Sequence, residues 1–182
     1  MIYSIPLLPY LKLREEAEVI RASRARTKTK VKKIPARFVS VNDMYPINRF
    51  GHGVRLSDEG RIYKAYIYDE LAKQVGDAPS FEYYDCTYVF YMTHEMMFTG
   101  DDEMRRIDVS NMLKAAEDAV FEFLLEDDSK VLSIHGFKRL TLEDPRLVVT
   151  VSMAQLGDPI TVSGGFANSY ELEHGKVLYR GV

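Results

Sequence analysis

Carboxylates lie close together in one stretch of the sequence, and their density suggests a functional site. They include Asp108, Glu117, Asp118, Glu126, Asp127 and Asp128. Lys114 lies among them, and Arg105-Arg106 precede them. Carboxylates that outnumber neighbouring cations repel one another, and a divalent cation or a shared proton relieves that repulsion. The stretch therefore predicts a metal site or a set of acids that share a proton.

A helix is expected to hold the first of these acids. Residues 110–124 carry an apolar stripe with the spacing of a buried helix face, formed by Met112, Ala116, Ala119, Val120 and Phe123. A second face repeats a polar or charged residue every four positions, at Ser110, Lys114, Asp118 and Glu122. The alternative to a metal-binding or catalytic role is a simple surface ion pair between Lys114 and Asp118, which this spacing allows.

The surrounding pattern predicts an α+β fold. The expected elements are a strand at 34–41, a helix capped by Ser57 and ending at Gly76, a strand at 81–92, the helix at 110–124, and strands at 131–137 and 146–153. This order indicates a mixed or mostly antiparallel sheet packed by two helices. With 182 residues, 46% of them apolar, the chain can form one domain with a real core.

Both ends are expected to be extensions of a central domain at 34–154. Residues 1–33 contain a short, weak helix near 13–20 and then a basic arm. From Arg21 to Arg37 there are eight lysines and arginines and no acid, which the net charge of -3 conceals. Such an arm suits a polyanionic partner or is a solvated tail, and charge alone leaves both open. Turns at 164–165 and 174–175 favour a hairpin within 155–182.

Several function classes are disfavoured by composition. The single cysteine, Cys86, excludes an internal disulfide framework, so we expect a cytoplasmic protein in a reducing environment. No apolar run approaches the roughly 20 residues that cross a bilayer, so no membrane role is expected. The four histidines lack metal-ligand spacing, which disfavours zinc.

The motif around the acids resembles a known family. Asp108-x-Ser110-Asn111-x-x-Lys114-x-x-x-Asp118, followed by Asp127-Asp128, is similar to the D-x-D-N-x-x-K-x-x-x-D and D-D pattern of the RusA-type Holliday-junction resolvases. Ser40-Val41-Asn42 and the segment 57–63 resemble the family's first turn and first helix. The resemblance covers about residues 34–153.

The resemblance implies a homodimeric endodeoxyribonuclease that resolves four-way or branched DNA junctions in recombination and repair. The implied cofactor is Mg²⁺, with Mn²⁺ as a second candidate. Asp108 and Asp128 are the implied catalytic carboxylates and metal ligands, and Asp127 is a further metal ligand. Lys114 is a catalytic or phosphate-contacting cation. The supporting residues are Ser110, Asn111, Glu117 and Asp118.

Cations outside the motif are expected to contact DNA. Those of the arm are Arg24, Arg26, Lys28, Lys30, Lys32 and Lys33, and the others are Arg49, Arg55 and Lys138. The loop at 42–56 interleaves aromatic residues with Arg49 and Arg55, a composition that suits DNA but also fits an ordinary loop.

Ser110 departs from the family pattern, which has an aspartate there. Three consequences are open: Glu117 supplies the missing oxygen, the serine or a water serves in a weaker site, or catalysis is lost while junction binding remains. Ser110 is also expected to be the helix N-cap. A third class of function, an unrelated α+β oligomer whose acids bind a structural ion or solvate a helix, does not depend on the resemblance.

Helix length sets a geometric problem. A helix over 110–124 is about 22 Å long, so Asp108 and Asp128 begin at opposite ends. One ion can bind both only if the chain folds back or the helix is shorter, or if Asp108 of one subunit meets Asp128 of its partner across a dimer axis. A strand after the helix runs some 30 Å in the reverse direction, which returns Lys138 toward Asp108.

Overall fold

The computed structural model describes residues 1–24, 37–46, 55–75 and 80–154, together with the backbone of 170–173 and 176–179. Its elements in chain order are β1 (Ile2–Pro6), α1 (Leu8–Arg24), α2 (Val41–Met44), α3 (Asp58–Gln74), β2 (Tyr84–Met92), α4 (His94–Met97), α5 (Val109–Leu124), a single 3₁₀ turn (Asp128–Lys130), β3 (Val131–Leu140), β4 (Arg146–Met153), β5 (Tyr170–Glu173) and β6 (Lys176–Tyr179).

The first four strands form a mixed sheet in the order β1-β4-β2-β3. β2 and β3 are parallel, whereas β4 is antiparallel to both of its neighbours, β1 and β2. The predicted α+β fold with a mixed sheet is confirmed. β5 and β6 pair separately as an antiparallel ribbon.

One face of this sheet carries the core. In β2 the alternate residues Tyr84, Cys86, Tyr88, Phe90 and Met92 are fully buried. Leu147, Val149 and Val151, their partners on β4, are buried on the same face, as are Tyr3 and Ile5 of β1, which pair with Val149 and Leu147. The buried sides of α3 and α5 belong to the same cluster. The period-two pattern in the sequence therefore sets which face of the strand is covered by helices.

The two main helices follow their predicted signals. Ser57 caps α3, and its side chain accepts a hydrogen bond from Gly60 N at 2.9 Å. The apolar stripe of α5 is buried, with Ala115, Ala116 and Val120 fully covered. α5 packs against α3 and β3, so the motif-bearing helix lies between another helix and the sheet.

The predicted first strand at 34–41 is wrong over its described part. Residues 37–40 have no regular structure, and α2 begins at Val41. Ser40 and Asp43 form a capping box, in which Ser40 N donates to Asp43 Oδ2 at 3.0 Å. These local bonds satisfy backbone donors that a strand would have paired with a neighbour, so the helix is favoured.

The first strand of the sheet instead lies at the amino end. Ile2 pairs with Thr150 and Pro6 with Arg146, so β1 is an edge strand beside β4. Tyr3, Ile5 and Leu7 are buried at period two. α1 spans 17 residues, longer than the short helix expected near 13–20. The boundaries at residues 33 and 154 stay predictions, although β1 belongs to the same sheet as β2–β4.

In the described part of the chain, no helix combines the length and apolar character needed to cross a membrane.

Gly136 allows α5 to approach β3, and this close approach generates a prediction. A Cβ atom at Gly136 would lie 2.5 Å from Leu113 Cδ1, whereas one at Gly100 would meet nothing within 4 Å. We expect Gly136→Val to lower the free energy of unfolding by about 1–3 kcal/mol through overpacking, and Gly100→Val to change it little. Urea denaturation measures both variants. Equal effects at the two glycines would contradict this account of the packing.

Candidate active site

Asp108 begins the helix that carries the motif. Its side chain accepts a hydrogen bond from Ser110 N at 2.9 Å, which makes Asp108 the N-cap of α5. The expectation that Ser110 caps the helix is therefore wrong. Aspartate caps as well as serine does, and its charge also favours the positive end of the helix dipole. Ser110 lies exposed in the first turn.

Lys114 is the centre of the charged cluster. Its Nζ lies 2.8 Å from Asp128 Oδ2, 3.1 Å from Asp118 Oδ1 and 3.3 Å from Glu117 Oε2. An ammonium group has three donors, so each carboxylate can accept one. The simple surface pair with Asp118 is thus only one of three contacts.

Glu117, Asp118 and Asp128 form a group that could hold a metal ion. Each offers a carboxylate oxygen, and these oxygens lie within 4.8 Å of one another. Carboxylate oxygens are hard ligands of the kind that Mg²⁺ binds together with water. The Lys114 ammonium bonded to all three shows that the group can accommodate positive charge, so the donor set fits a divalent cation. Asp108 is not a member of this group.

The chain reverses direction to bring Asp128 to the helix. Leu125, at the end of α5, adopts a left-handed conformation with φ 55°. Asp127 then caps the 3₁₀ turn, and its Oδ1 accepts from Ser129 N at 2.8 Å. The chain therefore folds back, one of the alternatives that helix length left open, and this brings Asp128 to Lys114 in the second turn of α5 within one chain. The fold-back does not add Asp108 to the group of acids around Lys114.

Burial and hydrogen bonding shift the protonation equilibria of the cluster. Glu117 is only 8% exposed, and this burial raises the pKa of its carboxyl group despite the nearby Lys114 charge. Burial opposes the charged form of Lys114, but the hydrogen bonds that its ammonium donates to Asp128 and Asp118 outweigh it and raise the pKa of the ammonium. Lys114 is therefore a permanent cation at neutral pH. The backbone hydrogen bond from Ser129 lowers the pKa of Asp127.

The remaining predicted residues lie in different places. Lys138 Nζ donates to Ile107 O at 3.1 Å, so β3 returns this lysine to the residue before Asp108, as its length predicted. Asn111 is half-buried in the first turn of α5, and Arg24 and Arg55 are exposed. The other predicted DNA contacts, namely Arg26, Lys28, Lys30, Lys32, Lys33 and Arg49, lie outside the described residues.

Lys64 was missed by the sequence analysis. It lies on α3 and pairs with Glu122 Oε2 at 2.5 Å. With Asp118, Asp127 and Asp128 it lines a hollow of about 330 Å³ on the outer side of the cluster. A single lysine on a separate helix carries no spacing signal, so only the packing of α3 on α5 reveals it.

A comparison with known protein families gives a match over most of the chain. The family model described as Endodeoxyribonuclease RusA matches residues 41–152, more than half of the chain. The match includes α5 and the acidic cluster but not β1 or α1. None of the curated proteins matches the chain.

The N-cap of α5 predicts that two substitutions of Asp108 differ in their effect on stability. Asp108→Ala should lower the free energy of unfolding by about 1 kcal/mol, because the cap is lost. Asp108→Asn keeps a good cap acceptor and should leave stability nearly unchanged. Urea denaturation compares the two variants. If Asp108→Asn is as destabilising as Asp108→Ala, the carboxylate has a structural role beyond capping.

The Lys114 contacts predict a pH-dependent loss of stability. Lys114→Met removes the shared cation, so we expect a loss of about 1 kcal/mol at pH 7, a modest value because the side chain is partly exposed. The raised pKa of Lys114 means that its contribution is fully present below the ordinary pKa of 10.5 and disappears only as pH rises through the folded-state value. Because the pKa of the Glu117 carboxyl group is raised, acidification protonates it and removes one of the three contacts, which should shrink the difference between variant and parent.

Unfolding curves at pH 4 and pH 7 measure this effect. Lys73→Met is a matched control, because exposed Lys73 contacts a single carboxylate, Glu70, at 2.6 Å. It should change stability little at either pH. A loss for Lys114→Met that is the same at pH 4 and pH 7 would contradict a role for the lysine in relieving repulsion.

Proposed function

Because the chain belongs to the RusA endodeoxyribonuclease family, we propose that it is a Mg²⁺-dependent nuclease that resolves four-way or branched DNA junctions. The observation that carries the proposal is the Lys114 ammonium shared among Glu117, Asp118 and Asp128. This cluster combines the family motif on α5 with a donor set that fits a divalent cation.

The acids would hold the ion from two directions. Asp118 and Glu117 extend from the middle of α5, and Asp128 reaches the same point from the 3₁₀ turn. A bound divalent cation supplies positive charge at the scissile phosphate and makes a water molecule more acidic. Asp127 is a less direct contributor, because its carboxylate is engaged in capping that turn.

Lys114 would change partners when the ion binds. Its ammonium and the ion would compete for the same three carboxylates, so a bound ion would weaken its three contacts. The raised pKa keeps this lysine protonated, and a protonated lysine released toward the substrate can neutralise a phosphate. Lys138, beside Ile107, supplies a second cation near Asp108.

We further propose a homodimer that acts on branched DNA. A four-way junction has two equivalent strands to cut, and a two-fold symmetric dimer brings one such cluster to each. The basic arm at 21–37 would contact the phosphates of the junction arms.

A second candidate is a junction-binding protein with weakened or no catalysis. Two observations favour it: Ser110 offers no carboxylate at the motif's second acidic position, and the Asp108 carboxylate already accepts a hydrogen bond as the N-cap. Both candidates bind branched DNA, so only cutting separates them.

Cleavage of a labelled four-way junction tests the leading proposal. With Mg²⁺ we expect paired nicks at symmetric positions, and with chelator binding without nicks. Asp128→Asn should lower the cutting rate by at least about a hundredfold, as loss of a metal ligand does, while junction affinity is kept. Asp69→Asn, at an exposed acid on α3, is the matched control and should cut normally.

The other outcomes are equally informative. Tight binding without nicks in Mg²⁺ or Mn²⁺ would favour the second candidate. Absence of junction affinity at low salt would contradict both candidates.

Ser110 generates its own prediction. Ser110→Asp restores the family's carboxylate at an exposed position in the first turn of α5, where a negative charge also favours the helix. We expect tighter Mg²⁺ activation of cutting, on the order of tenfold, without loss of stability. Ser110→Asn is the uncharged control. If both substitutions leave the Mg²⁺ dependence unchanged, position 110 is not part of the metal site.

A further inference from the structure

A large cavity of about 1080 Å³ lies beside Asp108, at the start of α5. It is bounded by three chain segments, at 37–42, at 92–99 and at 105–112, and by Glu15 of α1. Its floor is apolar, because Phe38, Met92, Met96 and Met112 line it and are at most 4% exposed. The acidic cluster at Glu117, Asp118 and Asp128 is not part of its lining, so the cavity is a separate feature of the same helix.

Three arginines line this cavity. Arg105 is fixed by its Nε, which donates to Phe98 O at 2.7 Å and Glu95 O at 3.1 Å. Arg37 is held by Asp43 at 2.6 Å. Arg106 is exposed and has no hydrogen-bond or ion-pair partner among the residues that the structure describes. Planar guanidiniums held in this way suit phosphates and the acceptor edges of bases.

Acids and amides share the cavity wall with the arginines. Glu15, Glu95 and Asp108 line it, together with Asn42 and Asn111. A channel for phosphates alone would exclude carboxylates, since they repel the DNA backbone. Carboxylates and amides do accept hydrogen bonds from the amino groups of bases, and arginine donates to guanine. The mixed wall therefore suits a nucleoside with its phosphates better than a bare phosphate.

We propose that this cavity receives one unstacked nucleoside from the DNA strand at the branch point. The inference rests on the proposed function and adds a base-binding subsite to it. Small-ligand pockets measure about 300–1,000 Å³, so this volume admits a nucleotide with ordered water. Taking a base out of the stack costs a few kcal/mol in a duplex and least where pairing is already interrupted.

The subsite would also explain the placement of the cleavage residues. Asp108 lines the cavity and lies next to Lys138 through Ile107. A strand whose base enters the cavity has its next phosphate held near these side chains, on the helix that carries Lys114. Base contacts of this kind select which bond at the branch point is cut.

Fluorescence of 2-aminopurine tests the inference, because this base analogue brightens when it leaves the stack. One junction carries the probe at the branch point and another carries it within an arm, both in chelator so that no strand is cut. The parent protein should raise the branch-point signal severalfold and leave the arm signal nearly unchanged. Free 2-aminopurine deoxynucleotide should bind weakly, since it lacks the junction contacts.

Two variants and two matched controls make the test specific. Thr93→Phe fills the cavity at a residue whose hydroxyl makes no cap hydrogen bond, and Thr87→Phe places the same group on β2 outside it. Arg106→Gln removes the cation that has no partner among the described residues, and the control Arg61→Gln removes an exposed arginine on α3 that is paired with Asp58, outside the cavity. The cavity variants should lose most of the fluorescence rise while junction binding weakens by no more than about tenfold, the loss of one or two contacts.

The outcomes separate this inference from the proposed function. Junction binding with no branch-point signal, or with a signal that both cavity variants leave intact, overturns the inference and spares the nuclease proposal. Absence of junction binding at low salt overturns both. Thermal unfolding checks each variant, and because Arg106 is exposed, Arg106→Gln still decides the matter if Thr93→Phe fails to fold.

Discussion

Electrostatic repulsion among three carboxylates is the constraint on which this site depends. Oxygens of Glu117, Asp118 and Asp128 lie within 4.8 Å of one another, and Glu117 is almost fully buried. Two unit charges at that separation repel by on the order of 3 kcal/mol at an effective dielectric constant of about 20, and by less where water reaches Asp128. One ammonium, that of Lys114, balances only part of this charge. The remaining negative charge is what a divalent cation would neutralise.

The fold holds the acids together against this repulsion. Asp118 and Glu117 are fixed because α5 is packed between α3 and the sheet, and Gly136 permits the close contact with β3. Asp128 is fixed by the reversal at Leu125 and by the turn that Asp127 caps. β3 begins directly after this turn and brings Lys138 to Ile107, just before the start of α5. Together these features place Lys138 near the start of α5 and the three acids around Lys114.

Much of the fold could be predicted because its strongest signals are periodic or involve capping residues. β2 alternates over nine residues, α3 begins at Ser57, and α5 has a continuous apolar stripe. The first strand could not be placed from propensity alone, because Ser40 and Asp43 form a capping box that ends the extended segment. The alternation of Tyr3 and Ile5 in β1 with Leu7 just after it is too short to distinguish an edge strand from the start of a helix.

The site was only partly predictable for a related reason. The motif identified Asp108, Lys114 and Asp128, but spacing does not reveal that Asp108 caps the helix while Glu117 joins the cluster. The cap is a choice between two good capping residues at the start of α5, and the cluster depends on how the chain turns after α5, which is a tertiary property. Lys64 and the cavity beside Asp108 also arise from packing between distant segments.

Binding of Mn²⁺ in the absence of DNA, followed by electron paramagnetic resonance, tests the central claim that the three acids form a divalent-cation site. We expect one saturable Mn²⁺ site for each chain. Mg²⁺ should displace the bound Mn²⁺, and Asp128→Asn should weaken the Mn²⁺ affinity at least about tenfold. Asp69→Asn should bind as the parent protein does. No saturable site, or a site of unchanged affinity in Asp128→Asn, would contradict the account.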